Sequence, residues 1–307
     1  MNNRYLNFKR KIDNKELVIL DGGTGTELEK RGVKMDASAW CGITLENDKE
    51  TLIQIHLDYI NAGAEVISAN TYASNRIMLS AAGMEDKFHE INFRAIDSAI
   101  EARDRTRSDV LVAGSLGHRL PIEVGKQEAD IDFSQAELED CFSEQAMLFY
   151  EKGCDLIKLE MMYHPNRIRP AFNAAKKTGL PVWAGFSVRK NKYGEIVNWT
   201  KQNDYKFSDT IKILNDFDID ASGIMHSSID VIKDAINITK ENFKGPIMAY
   251  PDSGGWISPH WQFDTVINPI DFVKEAKQWK ESGVNMIGGC CGIGPEHIKE
   301  LSRIRDC

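Results

Sequence analysis

The stretch LIKLEMMYHPNRIRPAFNAAKKTGLPVWAGFSV, residues 156–188, sets the architecture that the rest of the chain repeats. It begins and ends with two short runs, 156–162 and 181–188, that are largely apolar on both faces, which is typical of buried parallel strands. Between the runs, Pro165 marks a helix start and Gly179 a helix end. The stretch therefore predicts a strand, a helix and a second parallel strand.

The same pattern recurs along the whole chain of 307 residues. Amphipathic segments separate the runs; one spans 47–62, and another starts at Ser134, whose capping box Glu137 completes. Eight such units predict an α/β fold, a single-domain (β/α)8 TIM barrel over residues 1–307 with its core at about 17–305. A doubly wound sheet is the alternative, but residues 21–26 lack the GxGxxG spacing. The other six runs are 18–23, 65–70, 110–116, 221–227, 246–253 and 286–292.

The charge, the apolar runs and the cysteines of the chain argue against several classes of protein. The chain has 38 Lys and Arg against 46 Asp and Glu, a net charge of -8, so we expect no nucleic-acid partner. It has no apolar run long enough to span a membrane, and the polar segment 1–10 does not resemble a secretory signal. The six cysteines form no disulfide framework, so we expect a cytoplasmic protein with reduced thiols. A homo-oligomer is compatible with the sequence.

A barrel places its active-site groups at the carboxyl ends of its strands. Three longer loops that follow strands, 117–133, 189–207 and 254–267, are candidate lids. The polar residues at the predicted strand ends are, in chain order, Asp21, Asn70, Ser115, Glu160, Ser187, His226, Asp252, Cys290 and Cys291.

The motif GGCCG, residues 288–292, is followed by GPEH, residues 294–297. Adjacent side chains of a regular strand point to opposite faces, but the flanking glycines let both sulfurs converge. Two thiolates at one point indicate a soft metal ion, most simply Zn2+. The alternative is a pair of buried cysteines that serve as small apolar side chains.

This motif resembles the C-terminal signature of the homocysteine S-methyltransferases, which include betaine–homocysteine methyltransferase. LDGGTGTEL, residues 20–28, matches the family's first-strand motif, NTY, residues 70–72, is similar to its second-strand motif, and YPDSG, residues 250–254, resembles its Tyr-Pro-Asn-Ser-Gly. The resemblance runs from residue 20 to 298. It implies a zinc-dependent transfer of a methyl group from a small onium donor to a thiol, with homocysteine giving methionine as the first expectation.

One departure concerns the metal ligands. The family uses three cysteines, and GIMH, residues 223–226, places His226 where the first of them stands. The resemblance therefore implies a metal site of His226, Cys290 and Cys291. Such a site is neutral with Zn2+, whereas three thiolates leave a charge of about −1, so a bound thiolate is expected to be less nucleophilic. In the alternative interpretation, His226 only forms hydrogen bonds in a metal-free pocket.

The resemblance also implies an acceptor pocket at Asp21, Gly22 and Glu160, with the two carboxylates as the catalytic and amino-group-binding residues. A buried pair of carboxylates needs a cation, and an ammonium group fits. The alternative for Glu160 is a salt bridge with Lys158. Asn70 and Ser187 complete the predicted substrate-binding residues.

Aromatic residues near the strand ends indicate a cationic methyl donor, for which Trp40, Tyr72 and Tyr163 are candidates. Aromatic faces attract quaternary ammonium or sulfonium groups by about 0.5–2 kcal/mol each. Trp256 and Trp261 could complete a cage. Alternatively, these rings only pack loops onto the barrel rim.

Two other functions fit the same barrel. A metal-dependent hydrolase would use Glu160 or Asp252 as the base that activates a water molecule. A protein that only binds an onium ligand would have lost its metal chemistry.

Overall fold

The computed structural model describes residues 3–43, 45–121, 133–200 and 203–305. Residues 122–132 of the predicted loop 117–133, and residues 201–202 of the loop 189–207, lie outside the described residues. Each of the eight predicted runs overlaps one strand of an eight-stranded sheet, and two of these strands extend one residue beyond their run. These strands are β1 (Val18–Ile19), β2 (Val66–Ser68), β3 (Leu111–Gly117), β4 (Leu156–Met162), β5 (Val182–Phe186), β6 (Ala221–Ser228), β7 (Ile247–Asp252) and β8 (Met286–Ile287).

The strands follow one another around the sheet in chain order, and β8 returns to pair with β1. All pairings are parallel, and Val18 of β1 lies opposite Met286 of β8. A parallel bridge between Leu20 and Val66 joins the first strand to the second. The predicted (β/α)8 barrel is therefore confirmed.

Helices connect the strands and cover the outside of the barrel. The segment predicted at 47–62 forms a helix at Lys49–Asn61, preceded by a 3-10 turn at Glu46–Asp48. The predicted capping box is present, since Ser134 Oγ accepts from Glu137 N and Ser134 N donates to Glu137 Oε2. The helices are α1 (Asn3–Asp13), α2 (Thr24–Lys30), α3 (Lys49–Asn61), α4 (Arg76–Ala81), α5 (Phe88–Thr106), α6 (Gln135–Glu151), α7 (Pro165–Lys177), α8 (Phe207–Thr210), α9 (Ile229–Asn242), α10 (Pro269–Glu281) and α11 (Pro295–Ser302). Two further 3-10 turns span Glu85–Lys87 and Ile211–Asp216.

The core has two main layers. The larger lies between the sheet and the surrounding helices, and the smaller fills the barrel interior. Helix α1 packs Tyr5, Phe8 and Ile12 into the interior layer, and the Tyr5 hydroxyl accepts a hydrogen bond from Trp183 Nε1 at 3.0 Å. Because α1 covers the end where the strands begin, the interior opens at their carboxyl ends, where the predicted site residues lie.

Two of the candidate lid loops contain two-stranded antiparallel ribbons. Val188–Lys190 pairs with Ile196–Asn198 after β5, and Gly255–Ile257 pairs with His260–Gln262 after β7. These ribbons give the loops a fixed shape above the barrel mouth. Within the described residues, none of the helices has the length and apolarity needed to cross a membrane.

Gly223 is where the barrel wall is least tolerant of a side chain. A Cβ atom there would lie 1.9 Å from the carbonyl oxygen of Met248 on β7. We expect Gly223→Ala to destabilise the protein by about 1–3 kcal/mol or more, because the paired backbones must separate. Urea unfolding measures the change.

The matched control is Gly255→Ala, because a Cβ atom there meets its nearest neighbour at 3.7 Å, an ordinary contact. Its unfolding midpoint should stay close to that of the wild type. Equal midpoints for Gly223→Ala and the wild type would contradict the close strand packing.

Candidate active site

Three possible metal ligands meet at the carboxyl end of the barrel. His226 lies near the end of β6, and Cys290 and Cys291 follow β8. The nitrogen and the two sulfurs all lie within 4.8 Å of one another. His226 Nδ1 is 3.4 Å from Cys290 Sγ, and the two sulfurs are 3.9 Å apart. The barrel thus brings together side chains that are 64 positions apart in sequence.

A local irregularity of β6 turns His226 toward the cysteines. The residue has φ of 41°, and the pairing of β6 with β7 shifts register between Met225 and Ser228. Such a φ costs a non-glycine residue about 1–3 kcal/mol, so surrounding bonds must hold it. The hydroxyls of Ser187 and Ser227 provide two of them, donating to the Met225 carbonyl at 2.8 and 2.9 Å.

The cysteine loop is held by backbone bonds to the end of β7. Cys290 N donates to the Pro251 carbonyl at 2.6 Å, and the Cys291 carbonyl accepts from Ser253 N at 2.9 Å. Gly292 has φ of 82°, and a Cβ atom there would lie 1.9 Å from the Ser253 carbonyl oxygen. The glycine after the cysteines is therefore needed for the turn that lets both sulfurs face one point.

The three side chains affect one another's pKa values. Burial opposes protonation of His226, but the charges of Asp252 and Cys290 outweigh it and raise its pKa to about 9. Asp252 Oδ2 lies 3.7 Å from His226 Nδ1. The hydrogen bond from Cys291 and the charge of His226 lower the pKa of Cys290 to about 6, against the effect of burial. The hydrogen bond with Cys290, together with burial, raises the pKa of Cys291.

The two short distances from Cys290 Sγ, to His226 Nδ1 and to Cys291 Sγ, fit a tetrahedral zinc ion. Zinc bonds of about 2.3 Å to sulfur and about 2.0–2.1 Å to nitrogen place two sulfurs about 3.8 Å apart and a sulfur and a nitrogen about 3.6 Å apart. The observed distances of 3.9 and 3.4 Å are close to both values. Two soft sulfurs and one imidazole are also donors that zinc prefers.

The two predicted carboxylates lie together beside a lysine. Lys158 Nζ is 3.0 Å from Glu160 Oε1 and 3.9 Å from Asp21 Oδ1, and its side chain is 2% exposed. Burial disfavours its charged form, but the charges of Glu160 and Asp21 outweigh burial and raise the pKa of the ammonium group. The salt bridge considered as the alternative for Glu160 is therefore present. The sequence indicates this salt bridge by the two-residue spacing of Lys158 and Glu160, which puts both side chains on the same face of β4.

The aromatic residues form a continuous band around His226. Trp261 and Trp199 both lie beside the imidazole, with ring centres 6.0 and 5.7 Å from it. Further contacts extend the band on both sides, at centre distances from 4.7 to 6.4 Å. In order, the aromatic band consists of Trp40, Trp256, Trp261, His226, Trp199, Tyr163 and His118.

Besides His118, the sequence interpretation missed Trp199 as a member of the band. It directly follows the ribbon strand Ile196–Asn198, and its backbone N–H donates to the Ser187 carbonyl at 3.0 Å. Its position in a predicted lid loop was the available signal, because loop residues after barrel strands reach the site.

The other predicted residues support the site through structural contacts. Tyr72 donates its hydroxyl to Met161 Sδ at 2.9 Å and lies outside the aromatic band. Asn70 donates to the Cys41 carbonyl at 2.7 Å and so holds the loop that carries Trp40. The Gly22 carbonyl accepts from the Tyr250 hydroxyl at 3.2 Å.

Known proteins resemble this chain in sequence and in fold. A model of the homocysteine S-methyltransferase family matches residues 18–304, which confirms the resemblance inferred from the motifs. Selenocysteine Se-methyltransferase of Brassica oleracea var. italica is 28% identical over 93% of this chain and 88% of that protein. Homocysteine S-methyltransferase YbgG of Bacillus subtilis is 26% identical over 95% of both chains. The metallated form of homocysteine methyltransferase MmuM from Escherichia coli has the same fold, with a TM-score of 0.76 at 21% identity over 96% of this chain and 98% of its own.

The cluster predicts one unusually reactive thiol in chelator-treated protein. Because only a thiolate is alkylated quickly, the rate of Cys290 alkylation by iodoacetamide should rise through pH of about 6 and then level off. His226→Asn removes the cation that favours this thiolate, so the midpoint should move upward. Mass spectrometry of the labelled peptide over a pH series measures both.

Cys290→Ser should lose the fast phase, which makes it the control. Cys41 and Cys154 contribute no fast phase, because burial raises the pKa of each thiol. A wild-type midpoint at the ordinary thiol value, unchanged in His226→Asn, would contradict the described cluster.

Proposed function

Because the chain belongs to the homocysteine S-methyltransferase family and is therefore a methyltransferase, we propose that it moves a methyl group from a small onium donor to a thiol at a zinc site. The observation that carries the proposal is the convergence of His226, Cys290 and Cys291 at the barrel mouth. Three protein ligands leave one position of a tetrahedral ion open, as in catalytic zinc sites.

A zinc ion held there would lower the pKa of a thiol that enters the open position, so that the sulfur is present as a thiolate at neutral pH. The new bond joins this sulfur to the methyl carbon, and the C–N or C–S bond of the donor breaks. The donor leaves as a neutral amine or sulfide, and the thiol proton passes to solvent. The donor must therefore lie with its methyl group against the sulfur.

The aromatic band is our proposed binding surface for the donor. The rings of Trp261 and Trp199 both lie beside His226, so a cation held against either ring would lie near the thiol position. Betaine and S-methylmethionine both carry such a cation. Trp40 and Tyr163 continue the surface in opposite directions.

Homocysteine, giving methionine, is the acceptor that the family membership suggests first. We propose that Glu160 and Asp21 line the acceptor pocket, with Gly22 contributing its backbone. Asn70, Tyr72 and Ser187 would act mainly by positioning, since each has a hydrogen bond to another part of the site. The ammonium group of Lys158 lies beside Glu160, where the amino group of homocysteine would be expected to bind.

We further propose that residues 1–307 act as one barrel domain in the cytoplasm. Both layers of the core draw on elements from distant parts of the chain, which supports a single folding unit. A reducing compartment would keep Cys290 and Cys291 available as metal ligands.

Metal analysis tests the ligand set directly. We expect purified wild-type protein to contain about one zinc ion per chain, and His226→Ala and Cys290→Ser to lose most of it, because each removes one of three ligands. Elemental analysis of the dialysed proteins gives the ratio.

Cys141→Ser is the matched control, since Cys141 is buried on α6 away from the cluster. It should retain its zinc. Loss of zinc in Cys290→Ser alone would remove His226 from the ligand set, and metal-free wild-type protein would refute the zinc mechanism.

The aromatic band predicts effects on the donor rather than the acceptor. Trp199→Leu and Trp261→Leu should each raise the KM of an onium donor by about 2- to 30-fold, the equivalent of one cation–π contact. The KM of the thiol should change little. Steady-state kinetics with each substrate varied in turn separate the two, and an unchanged donor KM in both variants would exclude the band as the donor site.

A further inference from the structure

A buried lysine occupies the position between the two carboxylates of the acceptor pocket. Lys158 belongs to β4, and its ammonium group contacts Glu160 Oε1 at 3.0 Å. The same group lies 3.9 Å from Asp21 Oδ1 and 4.1 Å from the centre of the Tyr250 ring. The cation that a buried carboxylate pair requires is thus supplied by the protein itself.

Asp21 accepts three hydrogen bonds from protein donors. Its Oδ1 accepts from the hydroxyls of Tyr250 and Ser68 at 2.6 and 3.2 Å, and its Oδ2 accepts from Ser68 N at 2.6 Å. The residue is 1% exposed. An ammonium group of a substrate would therefore have to enter a buried site that already holds protein donors to reach the Asp21 carboxylate.

Glu160 keeps a small surface toward the pocket, with 11% of its side chain exposed. Glu160 lies near the carboxyl end of β4, at the same mouth of the barrel as the two cysteines that follow β8. One of its oxygens is paired with Lys158. A second ammonium group brought to Glu160 would lie next to this fixed cation, and like charges at such a distance repel each other.

We propose that the acceptor of this enzyme is a thiol that carries no ammonium group near its sulfur, such as an alkyl, hydroxyalkyl or carboxyalkyl thiol. The inference rests on the proposed thiol methylation but replaces the amino-acid acceptor with an amine-free one. Lys158 takes the place that the substrate's ammonium group would otherwise fill. The exposed edge of Glu160 then accepts a hydrogen bond from a neutral donor or from water.

Homocysteine and 4-mercaptobutyrate form a matched pair for the test, because they differ only in the amino group. Calorimetric titration of the zinc-loaded protein measures the binding of each, and kcat/KM with a common donor measures turnover. We expect 4-mercaptobutyrate to bind at least as tightly as homocysteine and to react at least as well. A preference for homocysteine of roughly 10- to 150-fold, the value of a charge-assisted hydrogen bond, would overturn the inference.

Lys158→Met removes the ammonium group from between the carboxylates. We expect it to shift the binding ratio toward homocysteine by about tenfold or more, because the substrate can now supply the missing cation. Lys177→Met makes the same change at an exposed salt bridge with Glu139 and should leave the ratio unchanged. An unchanged ratio in folded Lys158→Met would overturn the inference, and if that variant does not fold, the wild-type comparison decides.

Binding and turnover separate this inference from the proposed function. Preferential binding of 4-mercaptobutyrate without methylation of either thiol by any onium donor would support the amine-free pocket and refute methyl transfer. Methylation with a strong preference for homocysteine would do the reverse.

Discussion

The hydrogen bonds that anchor the segment after β8 hold both halves of the site together. This strand has two residues, yet the chain beyond it continues to pair on both sides. Gly288 N donates to the Ala249 carbonyl of β7 at 3.1 Å, and Gly289 N donates to the Asp21 carbonyl at 3.0 Å. The same segment therefore fixes the cysteines against β7 and against the backbone of Asp21, whose carboxylate lines the proposed acceptor pocket. A shift of this segment would move the sulfurs and Asp21 relative to each other, so the closure of the barrel sets the geometry of the chemistry.

Several residues with strained backbone conformations lie at the mouth of the barrel. Among the described residues, five other than glycine have positive φ, and three of them, Trp40, Met161 and His226, lie at the barrel mouth. Met161 follows Glu160 where β4 shifts register against β5, and His226 occupies the equivalent shift between β6 and β7. A conformation of this kind persists only where neighbouring contacts enforce it. At these positions the backbone departs from regular strand geometry, and this departure lets particular side chains face the pocket.

Periodicity and strand order were enough to predict the barrel and which strand ends would meet. They did not predict the position of Trp199, because the residue pattern of a ribbon in a loop does not indicate how the ribbon is oriented relative to the barrel axis. The pairing of Lys158 with Glu160 follows from the alternation of side chains in β4, yet the sequence left it open against a substrate ammonium group. The burial of Lys158 and its distance from Asp21 decide between the salt bridge and a substrate ammonium group. Both properties depend on the packing of three different strands. Helix α1 was not predicted as a cover for the barrel, because its apolar residues show their partners only once the interior is assembled.

Charge bears on how the proposed site would bind its donor. A zinc ion with one imidazole and two thiolates would be neutral, and Lys158 offsets one of the two carboxylates beside it, which leaves the other carboxylate and Asp252 as negative groups. In the proposed function, the faces of Trp199 and Trp261 beside His226 would add cation–π attraction to these charges. This arrangement has a consequence for turnover. The donor loses its positive charge in the reaction, and a neutral amine or sulfide keeps only the dispersion part of its contact with the rings. A donor site of this kind would therefore bind the charged donor more tightly than the neutral product, which favours product release.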